Sequence, residues 1–205
     1  MTEPVVSYFD FPGSRGEECR LAFVLAGVAF KDDRIKHADW PARKAATPFG
    51  RLPVLTLEGK PPLPECNAIL RYVAREHGLE LEDPWQRAQC DALMEACEDL
   101  RGQIWRALRV GDSDEEKQAA RQELAAGPLQ DWARAVEPQL QGPFAFGDTP
   151  TVLDIKLFMI RHWLTSGIID HLPTNVWDEY PKIEEVCRSL AMIPEIAAFR
   201  EKYAR

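Results

Sequence analysis

Two short segments in the first half of the chain carry residues suited to holding a small peptide. The first runs from Thr47 to Leu57 and contains Leu52-Pro53 directly before an apolar stretch. Because proline cannot donate a hydrogen bond to a sheet ladder, a bent or cis bond is predicted here, which would turn the backbone N–H and C=O of Leu52 outward. An extended peptide could then pair with Leu52 as a short added strand.

The second segment is Glu65-Cys66, at the predicted start of a helix. The first N–H groups of a helix have no partner inside the helix, and they bind carboxylates. Together with Leu52, this position would recognise both the backbone and the carboxylate of a peptide. The alternative for Cys66 is a reactive nucleophile, because a helix N-terminus lowers the pKa of a thiol. No histidine lies near Cys66 in the sequence, which favours substrate positioning.

The elements that must position these segments alternate between strand and helix over residues 1–78. The helix pattern is apolar nearly all round from Leu21 to Ala26, which predicts a helix buried in a β-α-β unit with parallel strands. Trp40 and Lys44 fall in a predicted loop. The predicted elements are strands at Val5–Phe9 and Ala29–Ile35, a helix at Ser14–Ala26, a hairpin from Val54–Leu57 through Pro61–Pro64, and a helix at Cys66–Glu76.

The rest of the chain has helical patterns only. After a connector at residues 79–85, apolar residues recur every three or four positions from Cys90 to Leu108, which predicts one long amphipathic helix. Thr151 and Asp154 form a capping-box pattern before another apolar helix. The further predicted helices cover Asp114–Glu137, Thr151–Ile168, Asp178–Ala191 and Pro194–Tyr203, so that residues 86–205 form an all-helical domain.

The composition limits the compartment and the classes of partner. With 25 basic and 33 acidic residues the net charge is −8, and no basic block occurs, which argues against nucleic acid and anionic membranes as partners. The five cysteines form no C-x-x-C pair and the chain starts without a signal-peptide pattern, which predicts a reducing, cytoplasmic setting. No run approaches the ~20 apolar residues that cross a bilayer, so no membrane partner is expected. The four histidines are scattered, and no metal site is predicted.

Taken in this order, the segments resemble the cytosolic glutathione transferases, and most closely the sigma class. The resemblance covers essentially the whole chain. It implies an α/β thioredoxin-like N-terminal domain that holds glutathione, followed by an all-α C-terminal helical bundle domain that shapes an electrophile pocket, and a homodimer. The motifs that carry it are Trp40-Pro-Ala-Arg-Lys44, Pro48-Phe-Gly-Arg-Leu-Pro53, the helix start from Glu65-Cys66 to Ala74, and Gly147-Asp-Thr-Pro-Thr151-Val-Leu-Asp154.

Site residues follow from the resemblance position by position. Tyr8 matches the catalytic tyrosine that activates the glutathione thiol. Trp40 and Lys44 match positions that hold the glycyl carboxylate. Leu52 matches the residue that pairs with the peptide backbone, directly before the cis-proline Pro53. The remaining glutathione positions are Arg51, where a basic residue is common, Glu65 and Cys66, which hold the γ-glutamyl group, and Asp99, which reaches the glutathione of the other subunit.

The chain departs from the family pattern at two points. The stretch between Tyr8 and Arg15 is one residue longer than in the sigma class, which affects where the Tyr8 hydroxyl is aimed. Cys66 stands where serine is usual, and because a thiol is a weaker donor and acceptor than a hydroxyl, glutathione binding should be weakened but not lost.

Other residues near Tyr8 leave alternatives open. A tyrosine at the end of a strand is often only an aromatic plug, and other transferase classes use a serine near the first helix, for which Ser14 is the candidate. Ser14 with Glu17 also fits a capping box, which would explain the serine by itself. Arg15 is a supporting charge or a solvated residue of the first turn. The residues predicted for the hydrophobic pocket are Phe11, Gly13, Trp105 and Leu108.

The expected activity is conjugation of reduced glutathione to hydrophobic electrophiles in a detoxification role, with the thiol activated by Tyr8. Glutathione is then a substrate, and no metal takes part. The alternatives are a glutathione-dependent peroxidase or isomerase in the same site, and a non-catalytic dimeric binding protein of the same fold.

Overall fold

The computed structural model describes residues 2–203 of the chain. These residues form two compact units. The first unit comprises residues 2–80 and 192–203, and the second unit comprises residues 81–191.

The first unit is built on a four-stranded mixed sheet. Strand β1 (Val5–Phe9) lies parallel to β2 (Lys31–Ile35) and antiparallel to β3 (Val54–Thr56), with Ser7 opposite Val54. The sheet order is β2-β1-β3-β4, and β3 forms the predicted hairpin with β4 (Leu63–Pro64). The predicted β-α-β unit is confirmed. In chain order the elements are β1 (Val5–Phe9), α1 (Ser14–Leu25), β2 (Lys31–Ile35), α2 (Trp40–Lys44), β3 (Val54–Thr56), β4 (Leu63–Pro64), α3 (Cys66–Glu76) and, from the C-terminal segment, Pro194–Tyr203.

Helix α1 is buried as predicted, but it buries charged side chains that the apolar pattern did not indicate. Glu17, Glu18 and Arg20 are all at most 2% exposed. The Arg20 guanidinium donates to Asp32 at 2.8 Å and to Glu17 at 3.3 Å. It also donates to the backbone carbonyl of Phe9 at 3.3 Å. Because a buried charge is costly unless it is paired, this network holds α1 in register with β1 and β2.

The start of α1 differs from the prediction. The N-cap is Gly13, with φ 117°, and no side chain caps the helix. Ser14 is the first helical residue with φ 58°, and Glu17 points inward to Arg20 instead of back to the cap. The capping box predicted at Ser14 and Glu17 is therefore wrong, because the helix starts one residue too early for the Ser14 hydroxyl to cap it.

The last helix of the described chain packs on α1 within the first unit. It covers Pro194–Tyr203, as predicted. The Phe199 ring lies 6.4 Å from that of Phe30, and the Arg34 guanidinium stands 4.1 Å from the centre of the Tyr203 ring. These contacts fix this helix beside β2.

The second unit consists of helices, and no strand is assigned to it within residues 81–191. The single helix predicted at Asp114–Glu137 is wrong: it is broken at Gly127-Pro128, because proline lacks the N–H that would continue the helix and clashes with the preceding turn. The helices are α4 (Pro84–Leu108), α5 (Asp114–Ala126), α6 (Pro128–Val136), α7 (Val152–Thr165) and α8 (Pro181–Ala191), so the Pro194–Tyr203 helix becomes α9.

Helix α7 forms the buried centre of the second unit. The predicted capping box is confirmed: Asp154 accepts hydrogen bonds from the N–H and the hydroxyl of Thr151, at 2.7 and 2.8 Å. It also accepts from the N–H of Ala145 at 2.7 Å.

Among the helices of residues 2–203, none is both long and apolar enough to cross a membrane.

Candidate functional site

Tyr8 lies on β1 with its ring pressed against the first turn of α1. The side chain is only 7% exposed. A Cβ atom at Gly16 would stand 2.0 Å from Cδ1 of Tyr8, so glycine is required for the ring to lie where it does. The Arg20 guanidinium lies 5.9 Å from the ring centre. The phenol is thus held by the sheet on one side and the helix on the other.

A cluster of aromatic side chains connects Tyr8 with Trp40. The Phe9 ring stacks on His37 at 4.5 Å and meets the Trp40 ring edge-on at 5.5 Å. The Tyr8 ring is 5.6 Å from Phe9 and 5.7 Å from Phe11. The sequence analysis missed Phe9 and His37. The signal that could have found them is the pair of aromatics at 9 and 11, at the end of the strand that carries Tyr8.

Trp40 and Lys44 lie on a short helix, α2, and not in a loop as predicted. Pro41 is the second residue of this helix, in the first turn, where the N–H that proline lacks would have no partner within the helix. Arg43 binds the Asp33 carboxylate at 2.6 Å, and Ser7 donates to the same group at 2.7 Å. The hydrogen bond from Arg43 lowers the pKa of Asp33. This ion pair fixes α2 to β1 and β2.

The turn before β3 brings Lys44 next to the peptide-pairing segment. A Cβ at Gly50 would lie 3.4 Å from Cε of Lys44, so the lysine side chain runs along this turn. Lys44 and Arg51 are exposed, Leu52 is half-buried and Pro53 is buried. The Leu52–Pro53 peptide bond is cis, as predicted.

Glu65 and Cys66 lie at the start of α3, as predicted. Glu65 is the exposed N-cap residue, with φ 72° and ψ 122°. A non-glycine residue with such a positive φ stores about 1–3 kcal/mol of strain, and residues of this kind cluster at functional sites. Four residues further on, the N–H of Ile69 donates to the Glu65 carbonyl at 3.0 Å.

The Cys66 side chain points towards α1. Its Sγ lies 3.1 Å from Oε2 of Glu18 and 3.4 Å from the carbonyl oxygen of Arg15. The Cys66 side chain is 3% exposed. The backbone N–H of Cys66 belongs to the first turn of α3, among the N–H groups that an intrahelical acceptor does not satisfy.

The other predicted site residues fall into both units. Four of them lie close to Tyr8 in the chain of the first unit. Phe11 and Gly13 belong to the link from β1 to α1, and Ser14 and Arg15 are the first two residues of α1. Asp99, Trp105 and Leu108 lie on α4 in the second unit. Asp99 is exposed, and Trp105 is 44% exposed with its ring 5.4 Å from that of Trp163. Across residues 2–203, no group of three or more His, Cys, Asp or Glu side chains is arranged to hold a metal ion.

Two family descriptions match the chain. "Glutathione S-transferase, N-terminal domain" matches residues 4–75, and "Glutathione S-transferase, C-terminal domain" matches residues 98–203. Together the two matches take in all of the predicted site residues.

Relatives agree with these matches. Glutathione S-transferase 1 of Ascaris suum is 39% identical over 127 residues, which are 61% of this chain and 61% of that protein. Hematopoietic prostaglandin D synthase of Gallus gallus is 39% identical over 95 residues, or 46% of this chain and 47% of that protein. The chain thus spans between 47% and 61% of the length of these two relatives. S-crystallin 4 of Enteroctopus dofleini is 26% identical over 218 residues, covering 100% of this chain and 99% of that protein.

Solved structures match along almost the full length. The glutathione S-transferase of Ascaris lumbricoides has a TM-score of 0.86 at 28% identity, covering 100% of this chain and 98% of that one. A glutathione S-transferase of Necator americanus described as monomeric, Na-GST-3, has a TM-score of 0.86 at 26% identity, covering 98% and 97%.

Proposed function

The chain belongs to the glutathione S-transferase family, and from this premise we propose that it conjugates reduced glutathione to hydrophobic electrophiles, with the thiol activated by Tyr8. The observation that carries this proposal is the position of the Tyr8 ring, held between β1 and Gly16 in the unit that also contains cis-Pro53 and the strained Glu65. The contact with Gly16 fixes the ring from the helix side, so that the direction of the Tyr8 hydroxyl is set by both β1 and α1.

The chemistry requires a thiolate near neutral pH. A thiol such as that of glutathione has a pKa near 8.5, so only a few per cent is ionised at pH 7. The Tyr8 hydroxyl donates a hydrogen bond to the sulfur and so favours the anion. Lowering the pKa by two units takes roughly 2.7 kcal/mol, within reach of one charge-assisted hydrogen bond and a nearby helix N-terminus. The thiolate then attacks the electrophilic carbon, a C–S bond forms, and the displaced electron pair leaves with the departing group or takes up a proton.

Charges along the first unit suit the two ends of glutathione. The exposed ammonium of Lys44, beside Gly50, is available to the glycyl carboxylate, with Trp40 next to it and Arg51 as a further cation. The exposed carboxylate of Glu65 suits the γ-glutamyl ammonium. The first N–H groups of α3, including that of Cys66, suit the γ-glutamyl carboxylate.

The backbone of Leu52 pairs with the middle of the peptide. It lies two residues before β3, where an extended ligand continues the sheet.

The remaining assignments extend this proposal. Phe11 and Gly13, which precede α1 in the first unit, contribute to binding the hydrophobic electrophile. Asp99, exposed on α4, reaches the glutathione of a second copy in a homodimer. The five cysteines, all within the described chain, are thiols, which fits a reducing, cytoplasmic setting and a role in detoxification.

The test is a titration of bound glutathione. Ultraviolet absorbance of the thiolate is followed against pH for the wild type, Tyr8→Phe and Ser14→Ala. The wild type and Ser14→Ala should ionise the bound thiol about two units below free glutathione, and Tyr8→Phe should not. If bound glutathione in the wild type titrates like free glutathione, the proposal is wrong. If only Ser14→Ala removes the shift in the thiol pKa, the activating hydroxyl is that of Ser14 and not that of Tyr8.

Isomerisation is the second candidate, because one relative is named hematopoietic prostaglandin D synthase. The two reactions differ in their use of glutathione. Conjugation consumes one thiol for each product, whereas isomerisation regenerates the thiol at the end of each cycle. Measuring the loss of glutathione against product formed therefore separates the two.

A further inference from the structure

Two cysteines of the first unit stand next to each other at the start of α3. The Sγ atoms of Cys19 on α1 and Cys66 on α3 are 3.8 Å apart. Cys19 is fully buried and Cys66 is 3% exposed. A disulfide has an S–S distance of about 2 Å, so the sulfurs need to approach by less than about 2 Å, which side-chain rotation and a small helix shift can supply.

A buried carboxylate completes the arrangement. Cys19 Sγ donates to Cys66 Sγ, and Cys66 Sγ in turn lies 3.1 Å from Oε2 of Glu18. Glu18 is 0% exposed and is therefore an acceptor held in place beside the thiol. It is positioned to take the proton when Cys66 becomes a thiolate, which is the species that exchanges with disulfides.

We propose that Cys19 and Cys66 form a reversible disulfide that switches off the glutathione site, with glutathione disulfide as the oxidant. The Cys66 thiolate attacks one sulfur of the small disulfide, and one glutathione thiol leaves. The Cys19 thiolate then attacks Cys66 Sγ, breaks that mixed disulfide and releases the second glutathione thiol. The protein loses two electrons and two protons, and one small disulfide becomes two thiols.

The order of attack follows from exposure. Cys66 is 3% exposed, against 0% for Cys19, and it lies in the first turn of a helix whose N-cap, Glu65, is strained. Cys19 lies on α1 and has no exposed surface. Cys66 is therefore the attacking thiol and Cys19 the resolving one.

The effect on binding follows from where Cys66 lies, and this part rests on the proposed function. Closing the bond draws the first turn of α3 towards α1 and removes the Cys66 donor from Glu18. The backbone N–H of Cys66 and the carboxylate of Glu65 are the groups proposed to hold the γ-glutamyl end. Glutathione affinity should fall about tenfold, the change produced by about 1.4 kcal/mol of lost hydrogen bonding.

The covalent part is tested by peptide mapping of the full chain. After treatment with glutathione disulfide, non-reducing tryptic digestion should join peptide 16–20, which contains Cys19, to peptide 52–71, which contains Cys66. Hydroxyethyl disulfide, a linear disulfide that has no γ-glutamyl group, should give the same link more slowly. If neither reagent joins these two peptides, the proposal is wrong.

The switch is tested by measuring glutathione affinity before and after oxidation. The affinity of the wild type for glutathione should fall about tenfold on oxidation and recover after treatment with dithiothreitol. Cys19→Ala should bind glutathione normally and keep its affinity after oxidation and removal of any mixed disulfide. Cys19→Ser serves as a second variant if the alanine protein does not fold. Cys90→Ala, which removes a buried thiol of the second unit, is the matched control and should switch like the wild type.

The outcomes separate the two proposals. A link between the peptides without a change in affinity overturns the switch. An equal loss of affinity in Cys19→Ala assigns the effect to Cys66 alone and overturns the pair. If the reduced wild type binds no glutathione, the proposed function fails, while the link formed by hydroxyethyl disulfide still decides whether the pair exists.

Discussion

Gly16 on α1 lies directly against the ring of Tyr8 on β1. A Cβ atom at residue 16 would be 2.0 Å from Cδ1, 2.1 Å from Cγ and 2.6 Å from Cβ of Tyr8. Such distances are far inside van der Waals contact, so either the ring or the helix must move to admit even a methyl group. The position of the phenol therefore depends on the absence of a side chain in a neighbouring helix.

Gly16→Ala should displace the Tyr8 hydroxyl while leaving the tyrosine in place. A misplacement of about 1 Å can cost on the order of a hundredfold in rate, so we expect kcat/KM to fall about a hundredfold in a standard conjugation assay. Gly102→Ala is the matched control, because the nearest atom to a Cβ there is Arg106 Nη1 at 3.7 Å. Unchanged activity in a folded Gly16→Ala protein would show that the ring position does not matter to the reaction.

The parts of the fold that local chemistry dictates were predicted from the sequence. Helix α3 has the predicted bounds Cys66–Glu76. Its apolar pattern stops shortly before Gly78, and this glycine adopts φ 74°, a conformation that ends helices. The Thr151 capping box and the cis bond before Pro53 were also predicted, since each depends on neighbouring residues only. Features of this kind need no knowledge of what packs on them.

Features that depend on distant residues were missed. The burial of Arg20 is possible only because Asp32, twelve positions away, meets it on the next strand. The inward direction of the Cys66 thiol depends on Glu18 and Cys19, which are 48 and 47 positions away. The periodicity of one helix cannot indicate such pairings, because it contains only one of the two interacting residues.

Cys66→Ser should improve glutathione binding. The side chain at residue 66 points to the Glu18 carboxylate and the Arg15 carbonyl, and a hydroxyl donates to these acceptors more strongly than a thiol, which holds the first turn of α3 and its N–H groups in place for the γ-glutamyl carboxylate. We expect the KM for glutathione to fall about threefold with kcat unchanged, which corresponds to about 0.7 kcal/mol of improved hydrogen bonding. Steady-state kinetics at saturating electrophile measures this split. Cys19→Ala removes the neighbouring sulfur without introducing a hydroxyl and should leave the KM unchanged. A KM that stays the same or rises in Cys66→Ser would assign residue 66 to packing only.

Phe49→Ala should weaken the proposed homodimer. The Phe49 side chain is 77% exposed and its backbone is held at φ 55°, an uncommon conformation for a bulky residue. Burial of this ring in a second copy would offset the exposure of its apolar surface and the strain of its backbone. Truncation of the side chain should therefore raise the dimer dissociation constant about thirtyfold, corresponding to about 2 kcal/mol. Sedimentation velocity over a concentration series gives the constant.

The control for the dimer is Trp85→Ala. Trp85 is 72% exposed on α4 and has ordinary helical backbone, so its loss should leave the dissociation constant unchanged. A wild-type protein that sediments as a monomer at micromolar concentration would rule out the homodimer and with it the role of Asp99 in a partner's site.

Asp154 should make stability fall as the pH rises through the mildly acidic range. Burial raises the pKa of this carboxyl from 3.8 to about 6, against the opposing hydrogen bonds from Ala145 and Thr151. The folded protein therefore binds the Asp154 proton more tightly than the unfolded chain does. Its contribution is fully present below about pH 4 and is lost by about pH 6, with an upper size of about 3 kcal/mol.

Urea unfolding of the wild type and Asp154→Asn at several pH values tests this sign. The asparagine variant should be less stable at every pH, because the amide cannot accept all the hydrogen bonds of the carboxyl. The stability advantage of the wild type over Asp154→Asn should shrink from pH 4 to pH 7 by about 1–3 kcal/mol. Thr151→Ala loses the cap but keeps the titrating carboxyl, so it should be less stable while retaining the slope. A wild-type advantage that grows with pH would mean that the N–H donors outweigh burial and that Asp154 is a carboxylate throughout.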